Sequence, residues 1–476
     1  MRHSLALLRE IVAAAVIRLP PPSIYAHRIF GEAGFRRIRA WDIELQIWAL
    51  RQSDAFSAKT WDTILLWKTR RIVRHAISRV PFWADVARRL GEMPIATLED
   101  LRRIPIISRM EMKQLPRSNL VARGIPRWRR ARARTSGSTG EPFFFYQDRR
   151  DLLRREANTS IELRYANAPL RAPILILGLG THTDLDPLGR RFSGDDLENP
   201  NTRREELYPF IASTKPDVIL STPSLLERFV YFLQRDGQTA EFQAVLYRGE
   251  YLSEALRESL TRILKGKIGT VYGTRECSII ALECSAGKLH TAPWMNYLEI
   301  LRKDGTPTDA GEEGDIVITF FENEVMPFIR YRIGDRGRIN PEPCACSRRS
   351  PTITFHGREA GGVHTPTGKF VHILGIINKI AVDFHKEILR FQMEQREDVF
   401  IFRFEPMGSY SAEAEQALST YLNRQFEGTM RLVFEPVNHI TPNAQDKTPV
   451  FSVTGQDDPA TLESRTRSIV MNGHSS

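Results

Sequence analysis

Residues 216–250 read PDVILSTPSLLERFVYFLQRDGQTAEFQAVLYRGE. The apolar runs near both ends have the length of a strand, and LLERFVYFLQR between them has the apolar spacing of a helix. The alternation continues on both sides, because the apolar run APILILGLG precedes this stretch and the helix-like SEALRESLTRIL follows it. This order predicts an α/β fold in which helices cover a largely parallel sheet.

The regions around this pattern predict a large N-terminal domain over residues 1–357. Its first part, residues 1–120, carries short helical patterns punctuated by prolines, which indicates a helical segment. From about residue 293 to residue 357 the pattern changes to strands joined by Gly-rich turns, so we expect a β-rich subdomain there. A chain of 476 residues is long enough for two or three domains.

The C-terminal part predicts a second, smaller domain. The apolar strands DVFIFRFEP and MRLVFEPV flank the helical pattern AEAEQALSTYLNRQF, which favours a mobile α+β domain over residues 358–456. Gly357, Gly361 and Gly362 are candidate hinge residues, and residues 457–476 have the composition of a flexible tail.

Charge and cysteine content limit the class of protein. Lys and Arg number 67 against 57 Asp and Glu, a net charge of +10 that suits acidic small molecules, an anionic membrane surface or nucleic acid. No nucleic-acid-binding module accompanies this charge, and the basic run Arg127–Arg134 fits a solvated face or contacts with phosphates or an acidic partner. Four cysteines do not suggest the disulfide framework of a secreted protein, so we expect a cytoplasmic protein.

The N-terminal residues 4–22 are apolar in patches. Arg9, Glu10 and Arg18 interrupt them well short of the ~20 apolar residues that a membrane span requires. We therefore expect an amphipathic helix and no transmembrane span, and loose peripheral contact with a membrane stays open.

The loop TSGSTG, residues 135–140, has the composition of a phosphate-binding loop. Ser and Thr hydroxyls and closely approaching Gly amides can surround an anion, yet the loop lacks the Lys of a Walker motif and also suits an ordinary surface turn. The aromatic run after Pro142 fits the core of the next strand better than a substrate pocket.

Four further stretches carry residues suited to chemistry. YGTRECS, residues 272–278, places an aromatic ring, a glycine and the carboxylate of Glu276 within five positions, where a strand end could hold a stacked ring and a metal ion. Asp335 lies in what we expect to be a Gly-flanked turn, where it could accept two hydrogen bonds from ribose hydroxyls. Arg358 lies at the predicted domain junction, and Lys447 in QDKTPVFSV lies beside a C-terminal strand. Each stretch alone also fits a structural role.

In this order the motifs resemble those of the adenylate-forming superfamily, specifically its phenylacetate-CoA ligase-like and CapK-like branch. The resemblance runs from about Trp61 to DKTPVFSV and includes YRGEYLSEALRE and VMPFIRYRIGDRGRI, so it covers most of the chain but neither residues 1–55 nor the tail. It implies ATP- and Mg²⁺-dependent adenylation of a small aryl or acyl carboxylic acid. Transfer of the acyl group to a thiol, with coenzyme A as the expected acceptor, would follow, with AMP and pyrophosphate as by-products.

The resemblance also implies roles for individual residues. Asp335 and Arg358 would contact the ribose, and Glu276 would help to bind Mg²⁺. Lys447 would reach the substrate carboxylate and the α-phosphate during adenylation. The loop around the β- and γ-phosphates would consist of Thr135, Ser136, Gly137, Ser138, Thr139 and Gly140. The segment bordering the adenine would be Gly249 and Glu250. The strand end beside the purine and the α-phosphate would be Tyr272, Gly273 and Thr274.

Two alternatives to the thiol ligase stay open. The acyl-adenylate could pass to an amine, a hydroxyl or an acidic carrier protein, which the basic run would suit. The chain could also be a catalytically decayed nucleotide-binding scaffold, because Glu359 and Ala360 replace the usual acidic hinge pair of the family. The joint presence of Lys447, Asp335 and Glu276 argues against decay.

The cysteines suggest a separate metal site. Cys284 and His290 lie in ECSAGKLH, and Cys344 and Cys346 lie in PCACSRR about one subdomain later. Together they supply three thiolates and one imidazole for a structural Zn²⁺ ion, with reduced, partly buried thiols as the alternative. Similar clusters occur in the branch that the chain resembles. For Cys277 we expect a packing role.

Overall fold

The structure is a computed structural model, and the residues it describes are 2–18, 44–91, 95–134, 143–148, 158, 161–168, 173–177, 191–192, 204–249, 252, 254–346, 348–358, 362–373, 376–377, 380, 383–384, 387–408, 410–438, 440 and 451–454.

The helices with defined bounds occur before and between the strands. They are α1 (Arg2–Arg18), α2 (Ala58–Arg79), α3 (Pro81–Leu90), α4 (Arg109–Gln114), α5 (Arg117–Leu120), α6 (Arg204–Thr214), α7 (Pro223–Arg235), α8 (Glu254–Leu264) and α9 (Ala412–Gln425), with 3₁₀ turns at Glu99–Arg103 and Arg127–Arg129.

The strands form four sheets among the described residues. They are β1 (Ile107–Ser108), β2 (Arg130–Arg134), β3 (Phe144–Asp148), β4 (Ile174–Leu177), β5 (Arg191–Phe192), β6 (Val218–Ser221), β7 (Ala244–Tyr247), β8 (Lys267–Thr274), β9 (Ser278–Glu283), β10 (Leu289–Thr291), β11 (Asn296–Leu301), β12 (Gly314–Phe320), β13 (Tyr331–Ile339), β14 (Thr352–Arg358), β15 (Gly362–His364), β16 (Phe370–His372), β17 (Ile388–Arg396), β18 (Val399–Pro406), β19 (Arg431–Pro436) and β20 (Phe451–Thr454).

The stretch that predicted the α/β fold forms β6, α7 and β7. The two strands pair in parallel, and β4, β5 and β8 extend this parallel region. Helix α7 begins at a strong start signal, because Pro223 occupies its first turn and the Thr222 hydroxyl accepts a hydrogen bond from Leu225 N. The predicted α/β fold is confirmed.

The β-rich part continues the same sheet. From β8 the antiparallel order β9, β10, β14, β13, β12 and β11 follows, and β1 adds to β13 in parallel, which gives twelve strands. The sheet is therefore parallel over one half only. Pairing between β10 and β14, which lie far apart in the sequence, closes the antiparallel half and brings residues near 290 and 350 together.

The N-terminal helices pack on the antiparallel half of the sheet. Trp61, Ile64 and Ile72 of α2 are buried in one core with Phe320 and Phe328. Lys68 is also buried, and its ammonium group donates hydrogen bonds to the Trp294 carbonyl at 2.7 Å and to the Glu322 carboxylate at 2.8 Å. No described helix is long and apolar enough to cross a membrane.

The C-terminal elements match the predicted α+β pattern. Strands β19, β18, β17 and β20 form a separate four-stranded sheet in that order, and Leu418 and Leu422 of α9 pack against Phe400 in a core of its own. The domain boundary near residue 358 stays a prediction, and residues 457–476 lie outside the described residues.

The basic run and the aromatic run form an antiparallel hairpin on either side of residues 135–142. Arg130–Arg134 pairs with Phe144–Asp148, and Phe143 and Phe145 are buried in the core. The expectation that these aromatics belong to the next strand's core is confirmed.

Candidate functional site

The YGTRECS motif forms the tight connection between β8 and β9. A Cβ added at Gly273 would lie only 2.0 Å from the Ser278 carbonyl oxygen, so no other residue fits without moving the backbone. The Thr274 hydroxyl accepts a hydrogen bond from Cys277 N at 3.0 Å and closes the turn. The connection lies beyond the carboxyl ends of parallel strands, where ligands bind in open α/β sheets.

Tyr272 of β8 and Asp335 of β13 meet although β9, β10 and β14 lie between their strands in the sheet order. The Tyr272 hydroxyl donates a hydrogen bond to Asp335 Oδ2 at 2.9 Å, and the Tyr272 ring lies 4.6 Å from the Phe355 ring. Asp335 pairs through its backbone with Arg358, so the two residues expected at the ribose are neighbours in the sheet. Their contact with a nucleotide stays a prediction.

The expected turn at Asp335 is wrong. Asp335 lies within strand β13, which pairs on both sides with β12 and β14. The flanking glycines serve another purpose: Gly334 has φ +86°, and Gly337 lies at a bulge where a Cβ would be 2.6 Å from the Thr354 carbonyl oxygen.

Glu276 is buried at the β8–β9 connection and has two donors that the sequence did not suggest. Its Oε1 atom accepts hydrogen bonds from Arg109 Nη2 and from the Tyr331 hydroxyl, both at 3.0 Å. Burial is the main cause that raises the pKa of Tyr331 well above its usual range, and the nearby Glu276 carboxylate raises it further. The phenol therefore stays a neutral donor. Burial is the largest influence on the pKa of the Arg109 guanidinium and lowers it. The Glu276 carboxylate raises the same pKa, and the net effect is a rise.

Part of the predicted site lies outside the described residues. Gly249 follows β7 at φ +81°, two residues after Tyr247, which pairs with Thr270 of β8. Arg358 is described only through its backbone in β14. The positions outside the described residues are Thr135, Ser136, Gly137, Ser138, Thr139, Gly140, Glu250 and Lys447.

Cys284, His290, Cys344 and Cys346 come together as the sequence predicted. Their ligand atoms all lie within 4.8 Å of one another, with 3.7 Å between the sulfurs of Cys284 and Cys344 and 3.2 Å between Cys346 Sγ and His290 Nε2. Two sulfurs bound to one tetrahedral Zn²⁺ at about 2.3 Å would lie about 3.8 Å apart, so the donors fit this ion.

The surroundings of this cluster also suit a cation. His290 Nδ1 lies 2.8 Å from the Ser350 carbonyl oxygen, an acceptor that holds the ring proton on Nδ1 and leaves Nε2 for a metal. Burial is the main cause that raises the pKa of the Cys346 thiol to about 11 when no metal is present. The positive charge of a bound cation would offset the free-energy cost of deprotonating these thiols away from water.

Cys277 differs from the other three cysteines. It is fully buried in the main core, and burial, followed by the Glu276 carboxylate, raises the pKa of its thiol well above the usual range. A protonated, inaccessible thiol is a poor nucleophile, which agrees with the expected packing role.

The chain resembles curated ligases in sequence. It is 27% identical over 303 residues to a phenylacetate-coenzyme A ligase of Thermus thermophilus, which covers 59% of this chain and 66% of that protein, slightly under two thirds of its length. It is 25% identical over 323 residues to the enzyme of the same name from Escherichia coli, covering 63% of this chain and 73% of that protein. No model of a protein family matches the chain.

The chain also resembles solved structures. The structure of 2-hydroxyisobutyryl-CoA ligase in its postadenylation state, in complex with 2-HIB-AMP, superposes with a TM-score of 0.68 at 16% identity, covering 88% of this chain and 94% of that one. The same ligase in its thioesterification state, in complex with 2-HIB-AMP and CoA, superposes with a TM-score of 0.56 over 88% of this chain and 94% of that one, at 16% identity. The predicted fold of adenylate-forming enzymes is confirmed by this likeness.

Proposed function

Because the chain is a homologue of phenylacetate-CoA ligases and has the fold of adenylate-forming enzymes, we propose that it is an AMP-forming acid–thiol ligase. A carboxylate oxygen of the substrate attacks the α-phosphorus of ATP, and pyrophosphate leaves. The sulfur of coenzyme A then attacks the carbonyl carbon of the acyl-adenylate, and AMP leaves with the electron pair of the broken C–O bond. The substrate class is a small aryl or acyl carboxylic acid.

The observation that carries this proposal is the hydrogen bond between Tyr272 and Asp335, made at the end of β8, where the connection to β9 carries Glu276. An aromatic face, a carboxylate for hydroxyl groups and a buried carboxylate for a cation are the groups that a nucleotide requires there. Asp335 is 8% exposed and Glu276 is 2% exposed, so both carboxylates lie in surroundings where electrostatic interactions are strong.

The chemistry itself needs positioning and positive charge more than covalent participation. In this proposal the loop at residues 135–140 holds the β- and γ-phosphates and later releases pyrophosphate. Glu276 is the residue that would hold Mg²⁺, which supplies positive charge to the phosphates when bound. Lys447 offsets the charge that develops as the acid attacks the α-phosphate.

A second acceptor, an acidic carrier protein, is favoured by one surface. Arg117 on α5, Arg127 in the 3₁₀ turn before β2 and Arg132 on β2 are exposed, and no ion pair joins them to a described residue. Arg117 and Arg132 both lie over the Phe144 ring, at 5.3 and 4.9 Å, so two positive charges are held close together. The same charges would suit the phosphates of coenzyme A.

The Cys284, His290, Cys344 and Cys346 cluster is, in this proposal, a closed structural Zn²⁺ site. It joins the β9–β10 connection to the segment between β13 and β14. With four protein ligands it has no open position for a substrate, so its contribution is to stability.

Product analysis tests the proposed function. The protein is incubated with ATP, Mg²⁺, coenzyme A and a panel of aryl and short acyl acids, and mass spectrometry follows AMP and thioesters. We expect equal amounts of AMP and one acyl-CoA. AMP formation that requires a phosphopantetheine-bearing carrier protein would favour the second acceptor, whereas no AMP with any acid would favour the decayed scaffold.

A further inference from the structure

The surroundings of Glu276 are more elaborate than a metal-binding carboxylate alone requires. Glu276 is 2% exposed, and Tyr331 is fully buried. Both donors of this group, Arg109 and Tyr331, reach the same carboxylate oxygen, Oε1, at 3.0 Å. Among the described residues Oε2 has no hydrogen-bond partner. The carboxylate is therefore held by one oxygen only.

The position of Arg109 is fixed by the backbone. Strand β1 pairs in parallel with the start of β13, with Ile107 opposite Tyr331 and Ser108 opposite Arg332. Ser108 then caps α4 through a capping box with Glu111. Because Arg109 is the first residue of α4, this pairing sets it beside Tyr331.

Arg330 makes a second set of contacts with the residues just before β1. The guanidinium of Arg330 donates hydrogen bonds to the carbonyls of Arg102 and Ile104 at 3.1 and 2.8 Å, and it forms an ion pair with Glu299 at 3.1 Å. Arg330 is 3% exposed, so these bonds are made away from water, where an unmade bond is costly. The N-terminal helical segment is thereby attached to the strand that carries Tyr331.

We propose that Arg109 and Tyr331 are positioning residues that occupy Oε1 of Glu276 and so aim Oε2 at the Mg²⁺ ion of bound ATP. The inference rests on the proposed function. Two fixed donors on one oxygen leave the carboxylate a single orientation, and the charge of Arg109 offsets the cost of burying an anion at this depth. A ligand held in this way loses little freedom when the cation arrives.

Calorimetry of ATP binding tests these roles, in saturating Mg²⁺ and again in excess chelator. The quantity compared is the ratio of the two affinities, which reports the contribution of the metal ion. We expect Arg109→Gln to lower this ratio by about 10-fold or more. Arg109→Lys keeps the charge but not the planar geometry, so it restores part of the loss. Arg123→Gln, a change at an exposed arginine, is the matched control and leaves the ratio unchanged.

Tyr331→Phe provides the second variant, because it removes only a hydroxyl and keeps the ring in its buried place. We expect about a fivefold lower ratio, as for the loss of one hydrogen bond of ~1 kcal/mol. An unchanged ratio in Tyr331→Phe and Arg109→Gln would overturn the inference. This includes the case in which ATP affinity falls equally with and without Mg²⁺, because an equal loss leaves the ratio unchanged and indicates a distorted site. If Arg109→Gln does not fold, Tyr331→Phe decides alone.

The outcome for the wild-type protein separates this inference from the proposed function. Mg²⁺-dependent ATP binding with no acid-dependent product would count against the ligase and leave the positioning roles supported by the variants. Wild-type ATP affinity that is the same with and without Mg²⁺ would overturn the metal role of Glu276, and with it the inference.

Discussion

The Cys/His cluster predicts how strongly the free energy of unfolding depends on the concentration of free Zn²⁺. The size of this dependence follows from the number of ions bound. Four donors surround one point, so we expect the folded protein to bind a single Zn²⁺ ion at this place. A ligand that binds only the folded state stabilises it by RT ln(1 + [L]/Kd). Above the dissociation constant, each tenfold rise in free Zn²⁺ therefore adds about 1.4 kcal/mol to the free energy of unfolding, and three such steps add about 4.1 kcal/mol.

The assay is urea unfolding at buffered concentrations of free Zn²⁺, followed by tryptophan fluorescence. Trp294 is a suitable reporter, because it is buried three residues after β10 ends. The perturbation is the double change Cys344→Ser and Cys346→Ser, which removes two ligands that are only half-buried and disturbs packing little. We expect the wild-type protein to gain stability with Zn²⁺ at the stated slope and the double variant to show no slope.

Cys277→Ala is the control for this experiment. It removes a fully buried thiol outside the cluster, so it lowers the stability at every Zn²⁺ concentration and keeps the slope. Elemental analysis of protein purified without chelator should find about one zinc per chain. A wild-type slope of zero, or an equal slope in the double serine variant, would refute the assignment of these four residues as zinc ligands.

Three further predictions concern the nucleotide residues and the core. Asp335→Ala should weaken ATP binding in calorimetry by roughly 1.5 to 3 kcal/mol for each ribose hydrogen bond lost, and an unchanged affinity would remove Asp335 from the ribose site. Lys68→Met should lower the free energy of unfolding by about 3 to 5 kcal/mol, because the buried Glu322 carboxylate loses the Lys68 ammonium group, and adding Glu322→Gln should recover part of that loss. Gly273→Ala should destabilise by about 1 to 3 kcal/mol in thermal unfolding, since its Cβ would lie 2.0 Å from the Ser278 carbonyl oxygen. Gly408→Ala, where a Cβ would meet nothing within 4 Å, is its control, and equal effects of the two changes would contradict the steric argument.

The parts of the fold that follow from local patterns could be predicted. Residues 216–250 carry both signals, an apolar period for each element and a Thr–Pro start for the helix between them. The extension of the parallel sheet into the β-rich part could not be predicted. It depends on the pairing of β10 with β14, whose residues Leu289 and Ile353 are separated by a long stretch of chain with no local signal of the contact.

The same limit applies to the candidate site. Glu276 could be found because it lies in one short motif, but its donor Arg109 is 167 positions away and has no local pattern that distinguishes it. Tyr331 lies four residues before Asp335 in the same stretch, but nothing in that stretch marks it as a donor to Glu276. At Asp335 the nearby glycines suggested a turn. Glycine and aspartate occur together both in turns and in bulged strands, so their presence alone does not distinguish the two.

The measurement that tests the central claim most directly is ATP–pyrophosphate exchange without coenzyme A, in the wild-type protein and in Lys447→Ala. The account predicts exchange only when the substrate acid is present, and a loss of about 10² to 10³ in the variant, equal to ~2.7 to 4 kcal/mol. The variant should still convert a chemically prepared acyl-adenylate to its thioester at a nearly normal rate. A wild-type protein that shows no acid-dependent exchange, or a variant that loses both half-reactions equally, would contradict the account.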